Sequence, residues 1–120
     1  MLSLLTACDV DLFGNDFRRV VGPYRLYVWE GGKFALVTET TGEAGCGVLG
    51  GTVRQIGWNA NVILADQEAC GGRGARSGWM VVNVKTRAIE GPIDPVTIPS
   101  RSDLAGIEVV SADAAWEKLR

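Results

Sequence analysis

The sequence predicts a mainly β domain of the α+β kind: a small antiparallel β-meander of about five to six strands with a short C-terminal helix packed on it. Three observations carry this expectation. Aromatic and β-branched residues recur in short runs, glycine-rich or asparagine-rich connections separate the runs, and only the last stretch of chain has apolar residues at helical spacing. With 120 residues, 47% of them hydrophobic and 22% charged, the chain supports one core and is too short for two. A single β-rich domain is therefore expected over 23–120.

Taken in order, Tyr24-Arg25-Leu26-Tyr27-Val28-Trp29-Glu30 and Lys33-Phe34-Ala35-Leu36-Val37-Thr38-Glu39 flank Gly31-Gly32. Two glycines between such runs predict a tight hairpin, because both positions accept positive φ at no steric cost. Residues 48–56, 62–65 and 79–84 read as three further strands, separated by the turn residues 57–61 and by the glycine-rich stretch 70–78. A short segment at 88–90 is expected to pair back after a turn at Lys85-Thr86-Arg87. Past Gly91-Pro92 the character changes. Ser100-Arg101-Ser102-Asp103 has the form of a capping box for one helical turn around Leu104, and residues 107–110 read as a last edge strand. Ser111 is placed to cap a terminal helix in which Ala112, Ala115, Trp116 and Leu119 share a face, with Lys118 and Arg120 suited to the C-terminal dipole.

Ahead of these elements, Leu5-Thr6-Ala7-Cys8 reads as a lipobox behind the apolar Met1-Leu2-Ser3-Leu4-Leu5. It resembles the signal after which a bacterial peptidase cuts and a cysteine thiol receives a diacylglycerol. Residues 1–8 are then a signal remnant, Cys8 the lipidation site, and the polar, glycine-containing residues 9–22 a linker. The apolar stretch lacks a basic flank and is short for a secretory signal, so a second reading stays open: the apolar terminus of a cytosolic protein, with Cys8 an ordinary half-buried thiol. No run of about 18 apolar residues occurs, so membrane attachment is expected through lipid.

The chain has three cysteines and no histidine. Setting Cys8 aside leaves Cys46 and Cys70, a pair that an oxidising envelope lets bridge. Closing a loop of about 25 residues stabilises a small domain by roughly 3 kcal/mol on the chain-entropy model. Two buried free thiols in a cytosolic protein are the alternative. The cysteines lack Cys-x-x-Cys spacing and have no histidine to complete a tetrahedron, so no metal site is expected.

Trp58, the run Asn61 to Ala65, Gly78 to Thr86 and Gly91-Pro92 are similar to small uncharacterised bacterial envelope lipoproteins whose sheet carries a Trp-hydrophobic-Asp-x-Lys-Thr hairpin ending in Gly-Pro. The same phrase looks like one blade of a β-propeller, with Asn83 standing where the pattern has aspartate. The resemblance implies a small β-sheet domain and no catalytic residue.

Several constellations imitate chemistry. Gly45-Cys46-Gly47-Val48-Leu49-Gly50 satisfies G-x-G-x-x-G, with Asp66 near the distance of a ribose-binding carboxylate, but a strand follows where a dinucleotide site needs a helix. Those glycines are expected to permit a bulge or close strand packing. Without histidine, Ser-His and Cys-His nucleophiles are excluded. Glu39, Glu43, Asp66 and Glu68 fall at strand ends and loops, where solvated charge is ordinary. No cofactor and no catalytic residue is expected, and the chain reads as a non-enzyme. The formal net charge of −2 gives no global attraction for nucleic acid.

Arg73 and Arg76, in the glycine-rich loop, and Trp58, set between Gly57 and Asn59 in a turn and the most exposed of four tryptophans by expectation, are the candidate partner-binding residues. The functional expectation is a lipid-anchored bacterial envelope protein facing the periplasm. Its role is non-catalytic binding or structure, and the partner an envelope protein or a cell-wall polymer. Two alternatives accompany it: a periplasmic enzyme inhibitor presenting the Arg73 to Arg76 loop, and a cytosolic protein of unknown activity.

Overall fold

The computed structural model describes residues 17–29, 32–38, 46–71 and 76–119. Among the described residues, eight strands form two antiparallel sheets. The first sheet contains β1 (Phe17–Val21), β2 (Tyr24–Trp29) and β3 (Lys33–Val37) in that order. The second contains β4 (Gly51–Trp58), β5 (Val62–Ala69), β6 (Gly78–Asn83), β7 (Ile89–Ile93) and β8 (Val110–Ser111), ordered β7-β6-β5-β4-β8. A 3₁₀ helix covers Pro95–Ser100, and helix α1 (Ala112–Lys118) closes the chain. The meander with a C-terminal helix is the observed architecture. It is divided between β3 and β4 into sheets of three and five strands, where about five to six strands in all were expected.

Among the boundaries that differ from the expected ones, three shape the first sheet and its junction with the second. The linker was placed over 9–22, yet residues 17–21 form β1 and pair with β2 from Phe17↔Tyr27 to Val21↔Tyr24. Arg18-Arg19 interrupts any apolar alternation, so this strand is specified by its partner and by the Gly22-Pro23 turn, where Gly22 adopts φ +60°. The hairpin between β2 and β3 forms, but Trp29↔Lys33 leaves three connecting residues rather than two, with Gly32 at φ +75°. Finally, β4 starts at Gly51 because residues 46–50 turn, with positive φ at Gly47 and Gly50. It runs on through Gly57 and Trp58.

Burial explains the second sheet. Val62, Ile63, Leu64 and Ala65 are all buried, as their unbroken apolar run requires for a strand covered on both faces. One face of β5, with Ile63 and Ala65, joins the main core, which also takes Leu26 and Leu36 from the first sheet, Val82 from β6, and Ala112 and Ala115 from α1. The other face, with Val62 and Leu64, packs with Val81 and Leu104 beneath the segment that follows the 3₁₀ helix. Leu104 is 2% exposed and sits in a turn closed by its N–H and that of Ala105 on the Arg101 carbonyl. The expected capping box there does not form. The Ser100 hydroxyl donates to Thr97 O, and Asp103 instead accepts from Arg101 at 3.1 and 2.7 Å. The guanidinium of Arg101 also reaches Glu90 at 2.9 Å, tying this cover to β7.

Turn chemistry at the 83–88 hairpin is carried by Asn83, whose Oδ1 accepts from the N–H of Lys85 and of Thr86. The expected last edge strand over 107–110 is reduced to Val110–Ser111, paired with Ile56 and Gln55. The Ile107 N–H turns back to Leu104 O and residues 107–108 lie over Gly57, while Ser111 ends the strand by capping α1, accepting from Ala114 N–H at 3.1 Å. The opposite end of α1 is held by β1. Arg18 Nη1 donates to Trp116 O at 2.6 Å and to Leu119 O at 3.3 Å, and its guanidinium lies 4.3 Å from the Trp116 ring centroid. Trp116 in turn meets Phe34 at 5.8 Å. One arginine therefore joins the first sheet to the helix that seals the shared core. Replacing it, Arg18→Ala, is expected to destabilise the domain by about 2 kcal/mol, from a lost charge-assisted hydrogen bond and a lost cation–π contact. Urea unfolding measures this, and a change within experimental error contradicts the role assigned to Arg18.

Candidate functional site

The two ends of the second sheet carry the chemistry, and they differ. At one end Cys46 opens the 46–50 turn and Cys70 follows β5. Gly51↔Ala69 pairing and the Cys70 N–H to Gly50 O bond of 3.1 Å set these segments side by side. Cys46 and Cys70 form a disulfide with a Cα separation of 6.4 Å. Close packing accompanies it: a Cβ on Gly47 would strike the Leu36 carbonyl and come within 3.2 Å of Ala35 Cβ, and Val48 N–H donates to Leu36 O at 2.8 Å. Of the G-x-G-x-x-G glycines, Gly47 thus serves close packing on β3 and Gly50 turns the chain at φ +77°, while Gly45 lies outside the described residues.

Beside the disulfide lies Gln67, which is fully buried. Its Nε2 donates to Leu49 O and to Arg76 O, both at 2.9 Å, so one amide clamps the 46–50 turn and the far end of the glycine-rich loop. Two carbonyl acceptors fix the orientation of the amide and leave Oε1 turned toward Gly51, where a Cβ would approach it to 2.7 Å. Only a glycine at 51 accommodates that oxygen. Ser77 Oγ accepts from Ala69 N–H at 2.9 Å and pins the loop again. Arg76 is exposed, whereas Arg73 and Cys8 lie outside the described residues. Along the seam between β3 and β4 runs a shallow groove, whose part next to the disulfide measures about 390 Å³ and is lined by Lys33, Thr52 and Glu68 as well as both cysteines.

Asp66 holds a structural position. It accepts from Arg54 at 3.0 Å and from Gln55 at 3.4 Å, across a cross-strand contact exposed enough to contribute little energy. Glu39 and Glu43 fall outside the described residues. Among the described residues no group of three His, Cys, Asp or Glu side chains stands together as a metal site would need. No described helix is long and apolar enough to cross a membrane. The shifted groups lie elsewhere. Burial pushes the Tyr24 hydroxyl up, with Arg87 opposing, and hydrogen bonding to Arg101 holds Asp103 below the usual carboxylate range. The exposed Arg101–Asp103 contact therefore supports the fold above that range and is lost as pH falls through the lowered value.

The other end of the sheet belongs to Trp58. The expected exposed turn residue is instead the last residue of β4, half-buried and packed against the main core. The adjacent Gly57 explains the fit. A Cβ there would come within 2.6 Å of both Glu108 O and Ile107 Cγ2, so its absence lets the 107–108 backbone lie flat on β4. Lys118, in the last turn of α1, brings Nζ to 5.8 Å from the Trp58 ring centroid. Trp58, Gly106, Glu108 and Lys118 line an open cavity of about 260 Å³. Trp58 pairs with Ile63 at one end of β4 while Gly51 pairs with Ala69 at the other. Eight residues at strand rise separate these ends by about 23 Å. Trp58 and Arg76 therefore do not belong to one site.

Gln67, Glu108 and Lys118 were not expected as members of either end. For Gln67 the signal existed: position 67 continues the inward phase set by Ile63 and Ala65, which marks a polar side chain aimed into a core. Glu108 and Lys118 reach Trp58 only through the tertiary fold, and no local pattern announces that. Compared with protein-family models, curated proteins and solved structures, the chain matches none.

Two variants test the clamp. Gln67→Leu strands two carbonyls and is expected to cost about 2–4 kcal/mol. Cys46→Ser with Cys70→Ser is expected to cost about 3 kcal/mol, as is reduction of the native bridge. Denaturant midpoints of the oxidised, reduced and variant proteins check both; equal midpoints contradict the account of this end.

Proposed function

We propose that this chain is a lipid-anchored protein of the bacterial cell envelope, facing the periplasm, whose role is non-catalytic binding of an envelope protein or cell-wall polymer. One observation carries the reading: Cys46 and Cys70 are bridged, and the one remaining cysteine of the chain is Cys8, in the lipobox-like Leu5-Thr6-Ala7-Cys8. Disulfides persist where the compartment is oxidising, and a bacterial envelope is such a compartment. A single acyl chain binds membranes weakly, whereas two or more anchor firmly, so a diacylglyceryl cysteine suffices to hold a domain that has no spanning helix among its described residues. The absence of histidine supports binding over catalysis, since it removes the commonest general base.

A second reading, a periplasmic enzyme inhibitor, draws on the glycine-rich loop. Its two ends are tied by the disulfide, by Gln67 and by Ser77, an arrangement that reduces the entropy lost when a loop enters a cleft. Under it, Arg73→Ala with Arg76→Ala abolishes inhibition of the target enzyme and leaves anchoring untouched.

The primary reading is tested by Cys8→Ser. The native protein is expected in the membrane fraction, resistant to salt extraction, and the variant in the soluble periplasmic fraction. Equal distribution of the two proteins contradicts lipid anchoring.

A further inference from the structure

We propose that the recess at the end of β4 is a saccharide subsite that takes one neutral pyranose unit, stacked on Trp58 and hydrogen-bonded by Glu108 and Lys118. This deepens the envelope reading and rests on it, since that reading brings glycan within reach of the domain.

Three separate elements build the recess: the end of β4, the 106–108 segment and the last turn of α1. Trp58 packs against the main core, which holds its indole rigid and lowers the entropic cost of stacking a ligand on it. Gly57 allows the 107–108 backbone to press against the strand, and nothing lies within 4 Å of where a Cβ on Gly106 would stand, so the rim there is open. At about 260 Å³ the cavity is smaller than a drug-sized pocket, for which about 300–1,000 Å³ is usual. It suits a single ring of a longer chain whose neighbours run out along the surface.

The polar groups choose the ligand class. Lys118 only donates hydrogen bonds and ionised Glu108 only accepts them, so a ligand that satisfies both must do both, as a hydroxyl does. Their charges sum to zero: a cationic ligand meets Lys118, an anionic one meets Glu108, and the ammonium beside the indole excludes recognition of a quaternary ammonium by the ring. The ion pairs among the described residues join Arg54 to Asp66 and Arg101 to Glu90 and Asp103 and engage neither Glu108 nor Lys118. The Lys118 ammonium rests over the Trp58 ring, so a pyranose entering the recess moves it to the rim, where it donates to a hydroxyl. A half-buried indole flanked by one donor and one acceptor in a mainly polar recess matches a pyranose, which presents C–H groups on its face and hydroxyls on its rim.

The test uses the full chain carrying Cys8→Ser, titrated with the β-1,4 trimer of N-acetylglucosamine, with cellotriose and, separately, with glycine, while the indole N–H resonances are followed by NMR. We expect saturable millimolar binding of a trisaccharide that moves the Trp58 resonance and not those of Trp79 or Trp116. Glu108→Gln and Lys118→Met, both at exposed positions, are each expected to weaken binding by about five- to tenfold. Trp58→Phe, which keeps a ring for packing, is expected to weaken it less than Trp58→Ala does. No response to either trisaccharide, binding unchanged by both polar variants, or a Trp58 response to glycine alone each overturns the proposal. Failure of this titration leaves Cys8-dependent membrane fractionation intact, and failure of fractionation leaves the titration intact, so the two readings fall separately.

Discussion

Burial of β5 on both faces is the constraint from which the remaining architecture follows. A strand in which Val62, Ile63, Leu64 and Ala65 are all shielded from water needs a cover on each side. One cover is the first sheet with α1, held together by Arg18; the other is the segment from the 3₁₀ helix to Leu104. The same strand, continued inward, buries Gln67, and a buried amide must find partners. The Gln67 Nε2 finds them in Leu49 O and Arg76 O and so fixes two loops at the disulfide end, while Oε1 stays buried against Gly51 without a hydrogen-bond partner.

Much of this was legible in the sequence because it is local. The apolar run 62–65 announces a doubly covered strand, Gly32 marks the β2–β3 turn, and Ser111 marks the start of α1 with Ala112 and Ala115 on its buried face. What escaped is what distant residues decide. β1 carries two adjacent arginines and becomes a strand only because β2 offers it a ladder, while Arg18 is placed by a helix 98 residues away. The division between β3 and β4 is equally silent, since residues 48–50 read as the start of a strand, whereas Gly47 packs on β3 and residues 46–50 turn. Trp58 seemed a turn residue because Gly57 and Asn59 flank it. Yet Gly57 serves close backbone packing, and the Asn59 Oδ1 forms the turn one residue later, accepting from Asn61 and Val62 N–H.

The two ends of the second sheet thus have different physical characters. At one, a disulfide, a buried amide and a serine hydroxyl restrain the chain around the glycine-rich loop. At the other, an indole fixed by the core meets two opposite charges from separate elements around an open recess. Covalent and polar restraint at the first end frees the small core from supplying all of the stability, which matters for a domain of this size. It also links fold to compartment, because the restraint exists only where thiols stay oxidised.

The proposed anchor and the Cys46–Cys70 bridge both rest on the three cysteines, and the intact mass of the protein expressed in a bacterial host and collected from every cell fraction, before and after reduction, is the decisive measurement. The proposed lipid anchor requires a membrane-bound chain that begins at Cys8 and carries added acyl mass, and the Cys46–Cys70 bridge requires a gain of two protons on reduction. An unacylated chain that retains the residues before Cys8, with a mass unchanged by reduction, contradicts both the anchor and the compartment.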